Sequence, residues 1–508
     1  LPRHPDCRAL PTQIAALQAP GDASLWLHMG NLLIEATRSS DALLCFKHAA
    51  ELDGHLWEAA YAAGHLLHGL EQFEDALAYL DRSIQAKPDH APSLHMRALV
   101  LDSLKRDDEA IEDCRRAIEL DPQNADTLSN LGTLLRRQNR LEEALSFYDR
   151  SLKTNPTAGR TLFDRANVLA DLGRLDEAMS AYQRSATLGP EHARSAWNLS
   201  LLQMLTGDFE RGWKGREARW DVPSLMKGYP PFVGPRLPGI ESVAGKTVLV
   251  CADEGLGDAI QFVRYVPMLA ARGANVVLIV QDTLCPLLSG LEGVSQCLPG
   301  SSGARIPPFD FHCPLASLPL LFETRLETIP SAARYLPRVP LERMQVWEDR
   351  LGHGQLRVGL TWSGNPEHSN DHNRTMPFRM FTKLLDANAT FVSLQKEIRS
   401  TDASAFCERT DIFDAAPHLT DFSETAALVS CLDLIISVDT SVVHLAGALG
   451  KPTWVLLPRA PDYRWLLDRD DSPWYPTVRL FRQNDSRNYE GVIDRVREAL
   501  TPWLERPS

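Results

Sequence analysis

The strongest constraint on the fold of this chain is a register that returns every 34 residues. Ala42, Ala76, Ala110, Ala144 and Ala178 occupy it, with Gly212 next in line. Four residues beyond each alanine comes a bulky or apolar position (Phe46, Leu80, Cys114, Tyr148, Tyr182), and seven beyond comes a small one (Ala49, Ser83, Ala117, Ser151, Ser185). Twelve beyond come Pro88, Pro122, Pro156 and Pro190, with Gly54 standing in for the first; twelve before lie Gly30, Gly64, Ala98, Gly132 and Ala166. Self-similarity at a fixed period is the mark of a solenoid. Small residues at two heights let antiparallel helices approach closely, and the proline ends the second helix because it cannot continue it.

This pattern resembles the tetratricopeptide repeat over about residues 20 to 220. Such solenoids present a concave surface suited to extended peptides and have no chemistry of their own. At 508 residues the chain exceeds what one core supports, so further domains must follow. The register runs out near Trp220. From Val222 to Pro238 the chain carries Pro223, Pro230, Pro231, Pro235 and Pro238, a linker that Tyr229 and Phe232 are expected to keep packed.

Beyond the linker the period changes. Thr247 to Cys251 is a continuous apolar run of the kind buried on both faces in a parallel sheet, followed by Glu254-Gly255-Leu256-Gly257-Asp258, a helical pattern, and a strand over Asn275 to Val280. A second set of strands falls at Arg357–Trp362, Phe391–Leu394, Leu434–Val438 and Thr453–Leu457, with helical stretches at Pro377 to Asp386, Glu424 to Leu432 and Val442 to Gly450. Two doubly wound lobes in series imply a cleft at the carboxyl ends of strands. The last helical stretch, Val492 to Leu504, is expected to cross back to the first lobe. The expected division is a solenoid at 1–220, a proline-rich linker at 221–245, a first, acceptor-side lobe at 246–345 and a second, nucleotide-side lobe at 346–508.

With 53 Lys+Arg against 66 Asp+Glu, the formal charge of −13 argues against bulk attraction to nucleic acid or anionic lipid. Apolar runs such as Val276–Val280 fall far short of the ~20 residues a membrane helix needs, so no membrane span is expected. The start, Leu-Pro-Arg-His-Pro-Asp-Cys, has no apolar core of a secretory signal and lacks an initiator Met, which suggests a missing or processed terminus. Nine cysteines (Cys7, Cys45, Cys114, Cys251, Cys285, Cys297, Cys313, Cys407, Cys431) include no C-x-x-C pair and read as buried thiols of a cytoplasmic protein.

The chemistry concentrates in a few loops. Asp439-Thr440-Ser441-Val442-Val443-His444-Leu445, running on to Gly450-Lys451-Pro452, follows a buried strand and opens a helix. Free N–H groups and the helix dipole attract anions there, and Thr440, Ser441 and His444 can add bonds to a phosphate. Asp439 as a simple N-cap and His444 as a satisfied half-buried histidine remain alternatives. The stretch resembles the donor-diphosphate motif of the ADP-heptose heptosyltransferases, two-lobed GT-B enzymes, but has Ser441 where that family usually has glycine.

The turn Gly255-Leu256-Gly257-Asp258 resembles the same family's Gly-Asp turn, whose aspartate is taken as the catalytic base. Two glycines permit close approach to a ligand, and an aspartate at a helix start can accept a proton. Asp258 is therefore the expected base, with an N-cap as its rival role and Glu254 in reserve. The resemblance also implies cleft-facing positions for Ser363, Gly364 and Asn365 near the donor phosphates, and for Gln395 and Lys396 near the nucleotide. Lys396 would stabilise the charge of a leaving nucleotide, and Arg374 on the polar loop His368–Arg374 is a similar candidate. His and Asp crowd that loop, but no second carboxylate or cysteine set accompanies them, so no metal is expected.

The whole chain resembles bacterial proteins that join tetratricopeptide repeats to a heptosyltransferase-like domain, a layout similar to O-GlcNAc transferases and flagellin glycosyltransferases. The resemblance implies an α solenoid followed by an α/β GT-B fold of two Rossmann-like lobes. It implies an inverting, metal-independent glycosyltransferase with no cofactor beyond its nucleotide-sugar co-substrate, acting on Ser or Thr of a protein acceptor held by the repeats. The alternatives are a glycan or lipopolysaccharide transferase with the repeats as a tether, and a non-catalytic scaffold with a ligand-binding GT-B domain.

Overall fold

The computed structural model describes residues 19–505, apart from 190, 227, 302, 304, 353, 354, 369 and 485–487 and the side chain of 372. Cys7 and Pro190 lie outside the described residues. The chain forms two compact units, one ending at His192 and one beginning at Ala193.

The first unit is a run of helical hairpins. Its helices are α1 (Ala23–Glu35), α2 (Ser39–Leu52), α3 (Trp57–Gly69), α4 (Phe73–Ala86), α5 (Ala91–Ser103), α6 (Asp107–Leu120), α7 (Ala125–Arg137), α8 (Leu141–Thr154), α9 (Gly159–Asp171) and α10 (Leu175–Ser185). The repeated glycines sit where a larger residue has no room. A Cβ on Gly30 would collide with the Phe46 ring, one on Gly64 would lie 2.7 Å from Leu80, and one on Gly132 2.8 Å from the Tyr148 ring. Where the small residue is Ala98, its counterpart has shrunk to Cys114, although Ala166 faces a full-size Tyr182.

The repeated serines have a different cause. Ser83 Oγ donates to the Trp57 carbonyl (3.1 Å), Ser151 Oγ to Ala125 (2.8 Å) and Ser185 Oγ to Gly159 (2.8 Å), each tying the second helix to the start of the first. Each hairpin turn also places one residue in the left-handed region, at Thr37, Glu71, Lys105, Asn139 and Gly173, with φ of 58°, 58°, 62°, 59° and 79°.

The second unit begins with one more hairpin, α11 (His192–Leu205) and α12 (Phe209–Arg216). Gly212 and Gly215 bring it together, since a Cβ on the first would collide with Met204 and one on the second would meet Ser200 at 2.8 Å. The repeat pattern thus extends past the point where the compact units divide, at His192 rather than near residue 220.

Two parallel sheets follow. The first has the order β3-β2-β1-β4, with β1 Thr247–Cys251, β2 Asn275–Val280, β3 Val294–Pro299 and β4 Phe311–Pro314. One face of it, with Leu249, Cys251, Val277, Ile279 and Leu298, is covered by Tyr229 and Phe232 of the linker and by Phe309. The second sheet has the order β10-β9-β8-β5-β6-β7, with β5 Arg357–Thr361, β6 Thr390–Ser393, β7 Ile412–Asp414, β8 Leu434–Val438, β9 Thr453–Leu457 and β10 Val478–Arg482. Strand order reverses between β5 and β8, and a crevice opens at their carboxyl ends where the connections diverge. Three helices complete the frame used below: α13 (Leu256–Phe262) after β1, α14 (Ser441–Ala448) after β8, and the C-terminal α15 (Glu490–Leu504).

The expectation that the last helix crosses to the first lobe is corrected. Val492, Ile493, Val496 and Leu500 are buried in the core of the second sheet with Val358, Ile436 and Phe481. The cysteines also depart from a uniformly buried set: Cys45, Cys114, Cys251, Cys313 and Cys431 are buried, Cys285 and Cys297 are half-buried with sulfurs 3.4 Å apart, and Cys407 is exposed. No helix among the described residues is long and apolar enough to cross a membrane.

Candidate active site

Strand β1 ends at Cys251 and delivers Asp253, Glu254 and the Gly255–Asp258 turn to the carboxyl edge of the first sheet. Asp258 caps its own helix: Oδ2 accepts from the Gly255 N–H at 2.9 Å. Its other oxygen, Oδ1, pairs with Arg464 of the second lobe. The cap and the proposed base are therefore one residue, and each carboxylate oxygen retains a lone pair. The side chain keeps 24% of its surface exposed, so the carboxylate remains reachable. Burial pushes its pKa up, to about 7, against the pull of Arg464; Glu254 adds to the rise.

Glu254 is committed elsewhere. Its carboxylate pairs with buried Arg216 and its carbonyl accepts from Gln281 Nε2 at 2.7 Å. Burial works upward on it too, but Arg216 and Arg219 outweigh burial and hold it below the ordinary carboxylate value. Asp253 accepts from Arg219 Nε at 3.2 Å and from the Ala316 N–H at 3.2 Å, and burial followed by the Glu254 charge raises it to about 6.

The first-lobe turn meets the second-lobe motif directly. A Cβ on Gly257 would lie 2.6 Å from His444 Cδ2, so only glycine lets α13 and α14 come this close. His444 is buried. Its Nδ1 shares a 2.8 Å hydrogen bond with the Tyr475 hydroxyl, its ring stacks on Trp465 at 5.7 Å, and its Nε2 lies 3.9 Å from Asp439. Burial, then Arg464, drives its pKa well below the ordinary value, so it is a neutral imidazole. The histidine is thus buried rather than half-buried, with Nδ1 committed to Tyr475 and Nε2 left without a hydrogen bond among the described residues.

Helix α14 opens without a side-chain cap: its N-cap Thr440 makes no such bond, and the Thr440 hydroxyl instead lies 3.2 Å from Ser437 Oγ. Ser441 is half-exposed at the first position. Beside this terminus Arg374 donates to the Asp439 carbonyl at 3.1 Å, its guanidinium lying over Gly364, where a Cβ would come within 2.5 Å of Nη2. Burial, then Asp462, raises Asp439 to about 6. Ser363 is buried with its Oγ making no hydrogen bond among the described residues; Arg374 Nε makes none either, its ion-pair partner Asp371 Oδ1 lying 3.6 Å away. Gly364, Arg374, Asp439, Thr440 and Ser441 thus gather at the β5/β8 reversal point.

Three expected residues stand apart. Gln395 has its amide consumed: Oε1 accepts from the N–H groups of Trp362 (3.3 Å) and Ser363 (3.2 Å), while Nε2 donates to the carbonyls of Ser363 and Glu397, both at 3.1 Å. It holds the loop that presents Ser363. Asn365 is exposed and closes its own turn by accepting from the Glu367 N–H at 3.0 Å. Lys396 is exposed and donates to the Ala416 carbonyl at 3.1 Å, at the β6 end of the sheet. In the His368–Arg374 loop, Asp371 is engaged by Arg399 and by Thr375 Oγ1 (2.8 Å), which hold it below its ordinary value against the upward effect of burial.

Sequence reasoning missed Arg464, Arg216 and Arg219. Arg464 donates to Asp462 at 2.7 Å as well as to Gln261 and Asp258, and it lies 206 positions from Asp258 in sequence. No local pattern announces a partner at that distance.

Comparison with known families follows the same division. Residues 58–90, 89–157, 129–193 and 163–212 match tetratricopeptide-repeat models, and residues 391–464 match the model of glycosyltransferase family 9 (heptosyltransferase). The protein is a helical repeat solenoid followed by an α/β region, part of which matches the glycosyltransferase family 9 model. The matched segment includes Gln395, Lys396, Asp439 to His444 and Arg464. A curated relative, Protein FlbA of Caulobacter vibrioides, is 27% identical over 323 residues, which is 58% of this chain and 52% of that protein. The chain thus spans about half the length of this relative. Among solved structures, the tetratricopeptide-repeat protein YrrB is 22% identical over 36% of this chain and 95% of its own, with a TM-score of 0.33. Pseudomonas aeruginosa PilF is 18% identical over 42% of this chain and 93% of its own, with a TM-score of 0.36.

Proposed function

We propose that this chain is an inverting, metal-independent glycosyltransferase that moves a sugar from a nucleotide-activated donor to a Ser or Thr hydroxyl of a protein recruited by the repeats. Flagellin is a candidate acceptor, by the likeness of layout to flagellin transferases. The observation that carries this reading is the meeting of two loops. Asp258, with a pKa raised to about 7, follows Gly257, which packs on His444 one turn into an uncapped helix whose terminus Arg374 flanks. A base poised near the working pH and an anion-binding terminus are the two devices that nucleophilic substitution at an activated sugar requires.

In this reading Asp258 takes the proton of the acceptor hydroxyl as its oxygen attacks the anomeric carbon. The bond from that carbon to the nucleotide phosphate breaks, and the leaving phosphate is received by the first amides of α14, Ser441 and the Arg374 guanidinium. Attack opposite the leaving group inverts the anomeric centre. Lys396, exposed at the β6 end, belongs to the rim and would meet the nucleotide at a distance from the reacting atoms.

The test is transfer by the purified full chain, with a panel of nucleotide sugars and candidate acceptor proteins including flagellin, read by intact mass. One sugar added to the acceptor, abolished by Asp258→Ala in a folded variant, is the expected result. Persistent transfer by that variant would refute the role of Asp258. Transfer only to a free glycan would favour the tether reading, and no turnover with every donor would favour the scaffold.

A further inference from the structure

The turn that carries Asp258 is gripped by residues from the last repeat hairpin. Arg216, the final residue of α12, is fully enclosed, with its guanidinium 5.1, 5.6, 5.8 and 5.4 Å from the ring centres of Trp197, Trp213, Phe262 and Tyr463. Out of this aromatic box Nη1 donates to the Tyr463 hydroxyl at 2.8 Å and Nη2 pairs with Glu254. Three residues on, Arg219 is equally enclosed; its Nε donates to Asp253 at 3.2 Å and its Nη2 to Ser317 Oγ at 2.6 Å. Trp213 anchors the same helix by donating its indole N–H to the Thr324 carbonyl at 3.0 Å.

Asp253 and Glu254 lead straight into the Gly255–Asp258 turn. Five carboxylates, Glu217, Asp253, Glu254, Asp258 and Asp462, therefore share one cluster with three guanidiniums, Arg219, Arg216 and Arg464. A planar guanidinium can hold two acceptors in fixed directions, which a lysine ammonium at the end of a flexible stem does not reproduce. We propose that Arg216 is a positioning residue for the transfer reaction: by fixing Glu254 and Tyr463 together it sets the turn from which Asp258 works, so the last repeat hairpin is part of the active site. This rests on the reading of Asp258 as the base.

The groups facing Asp258 are Glu254 on its own loop, Arg216 from α12, Arg464, Asp462 and Tyr463 from the segment after β9, and neutral His444 from α14. Loss of the Arg216 charge removes one cation that favours ionised Asp258 and leaves Glu254 beside it opposed only by Arg219 and Arg464. The proton affinity of Asp258 then rises, and the activity limb it controls moves to higher pH. A neighbouring charge of this kind moves a carboxyl by about 1 to 3 pH units.

The experiment compares the full-length wild type, Arg216→Met, Arg216→Lys and the double variant Arg216→Met/Glu254→Gln. It uses kinetics against pH together with infrared titration of 13C-labelled aspartate, in which the matching Asp258→Asn spectrum isolates the Asp258 carboxyl. For folded Arg216→Met we expect at least a roughly tenfold fall in kcat with donor KM little changed, and an Asp258 titration about one pH unit higher. Arg216→Lys is expected to keep the wild-type titration but to recover kcat only in part. The double variant removes both charges and so avoids the unpaired buried carboxylate that destabilises Arg216→Met; its titration is expected to return to or below the wild-type position while kcat stays low. Unchanged kcat in either methionine variant, or an unchanged titration in folded Arg216→Met, would overturn the proposal. The infrared readout decides the point without turnover, so an inactive wild type would count against the transferase reading and not against the control of Asp258 by Arg216.

Discussion

The contact between Gly257 and His444 can be tested by adding a single methyl group. In Gly257→Ala the new Cβ would fall 2.6 Å from Cδ2 and 3.2 Å from Nε2 of His444. The imidazole cannot retreat, because Trp465 stacks on it and Tyr475 holds its other nitrogen. The two helices must separate, and overpacking of this kind costs about 1 to 3 kcal/mol. For a unit of roughly 300 residues, 2 kcal/mol corresponds to a fall in Tm of about 3 °C. His444→Ala alone removes a buried ring and costs about 2 to 4 kcal/mol, but it leaves space that the alanine methyl can occupy. The double variant should therefore lie ~1 to 2 kcal/mol above the sum of the two losses, a coupling measurable from urea midpoints and Tm in a double-mutant cycle. Additive losses within about 0.5 kcal/mol would refute direct packing of the first-lobe turn on the second-lobe helix.

Two further outcomes follow from the same coordinates. In the solenoid, Gly173→Ala places a side chain at φ 79° and should cost ~1 kcal/mol, whereas Gly69→Ala, at a helix end with open space around it, should gain about 0.5 kcal/mol; thermal melts of the two should move in opposite directions. His444 has a lowered pKa, so below the unfolded value near 6.5 the unfolded chain binds a proton that the folded chain refuses. Its contribution is full above that pH and falls by up to about 1.4 kcal/mol per unit as pH drops below it. His444→Gln should remove that part of the slope between pH 6.5 and 5, and equal slopes in both proteins would show that His444 is protonated in the folded state.

Much of the architecture was legible because the pattern repeats or runs unbroken. The 34-residue register located every hairpin, and the apolar runs of β1, β2, β5, β6, β8 and β9 could only be buried parallel strands. The strands that escaped are the four sheet edges: β3 with exposed Ser295 and Gln296, four-residue β4, three-residue β7, and β10, which carries Arg479 and Arg482. Four of the left-handed turn positions were invisible because Thr37, Glu71, Lys105 and Asn139 tolerate the conformation without announcing it as Gly173 does. At the site, the helix opening at Ser441 and the Gly255–Asp258 turn were readable because a local peptide segment determines each. The bonding of Gln395 was not readable, since its position after a strand says nothing about whether backbone groups occupy its amide. Arg216 and Arg464 acquire meaning only from partners brought by the fold.

The serines that close the hairpins bear on how freely this solenoid can vary. Ser83, Ser151 and Ser185 each bond within their own pair of helices, so the hairpins that carry a serine have a fastening of their own, to which Ser83 adds a bond to Ser93 of the next hairpin. A lineage can then lengthen or shorten the array by whole repeats upstream of His192 while leaving the remaining hairpins internally closed. The same freedom stops at the hairpin that ends in Arg216: deletion there would strip the Asp258 turn of its counter-charge. The length of the array is thus open to change by gain or loss of repeats, whereas the final hairpin stays tied to the α/β region whose turn it holds.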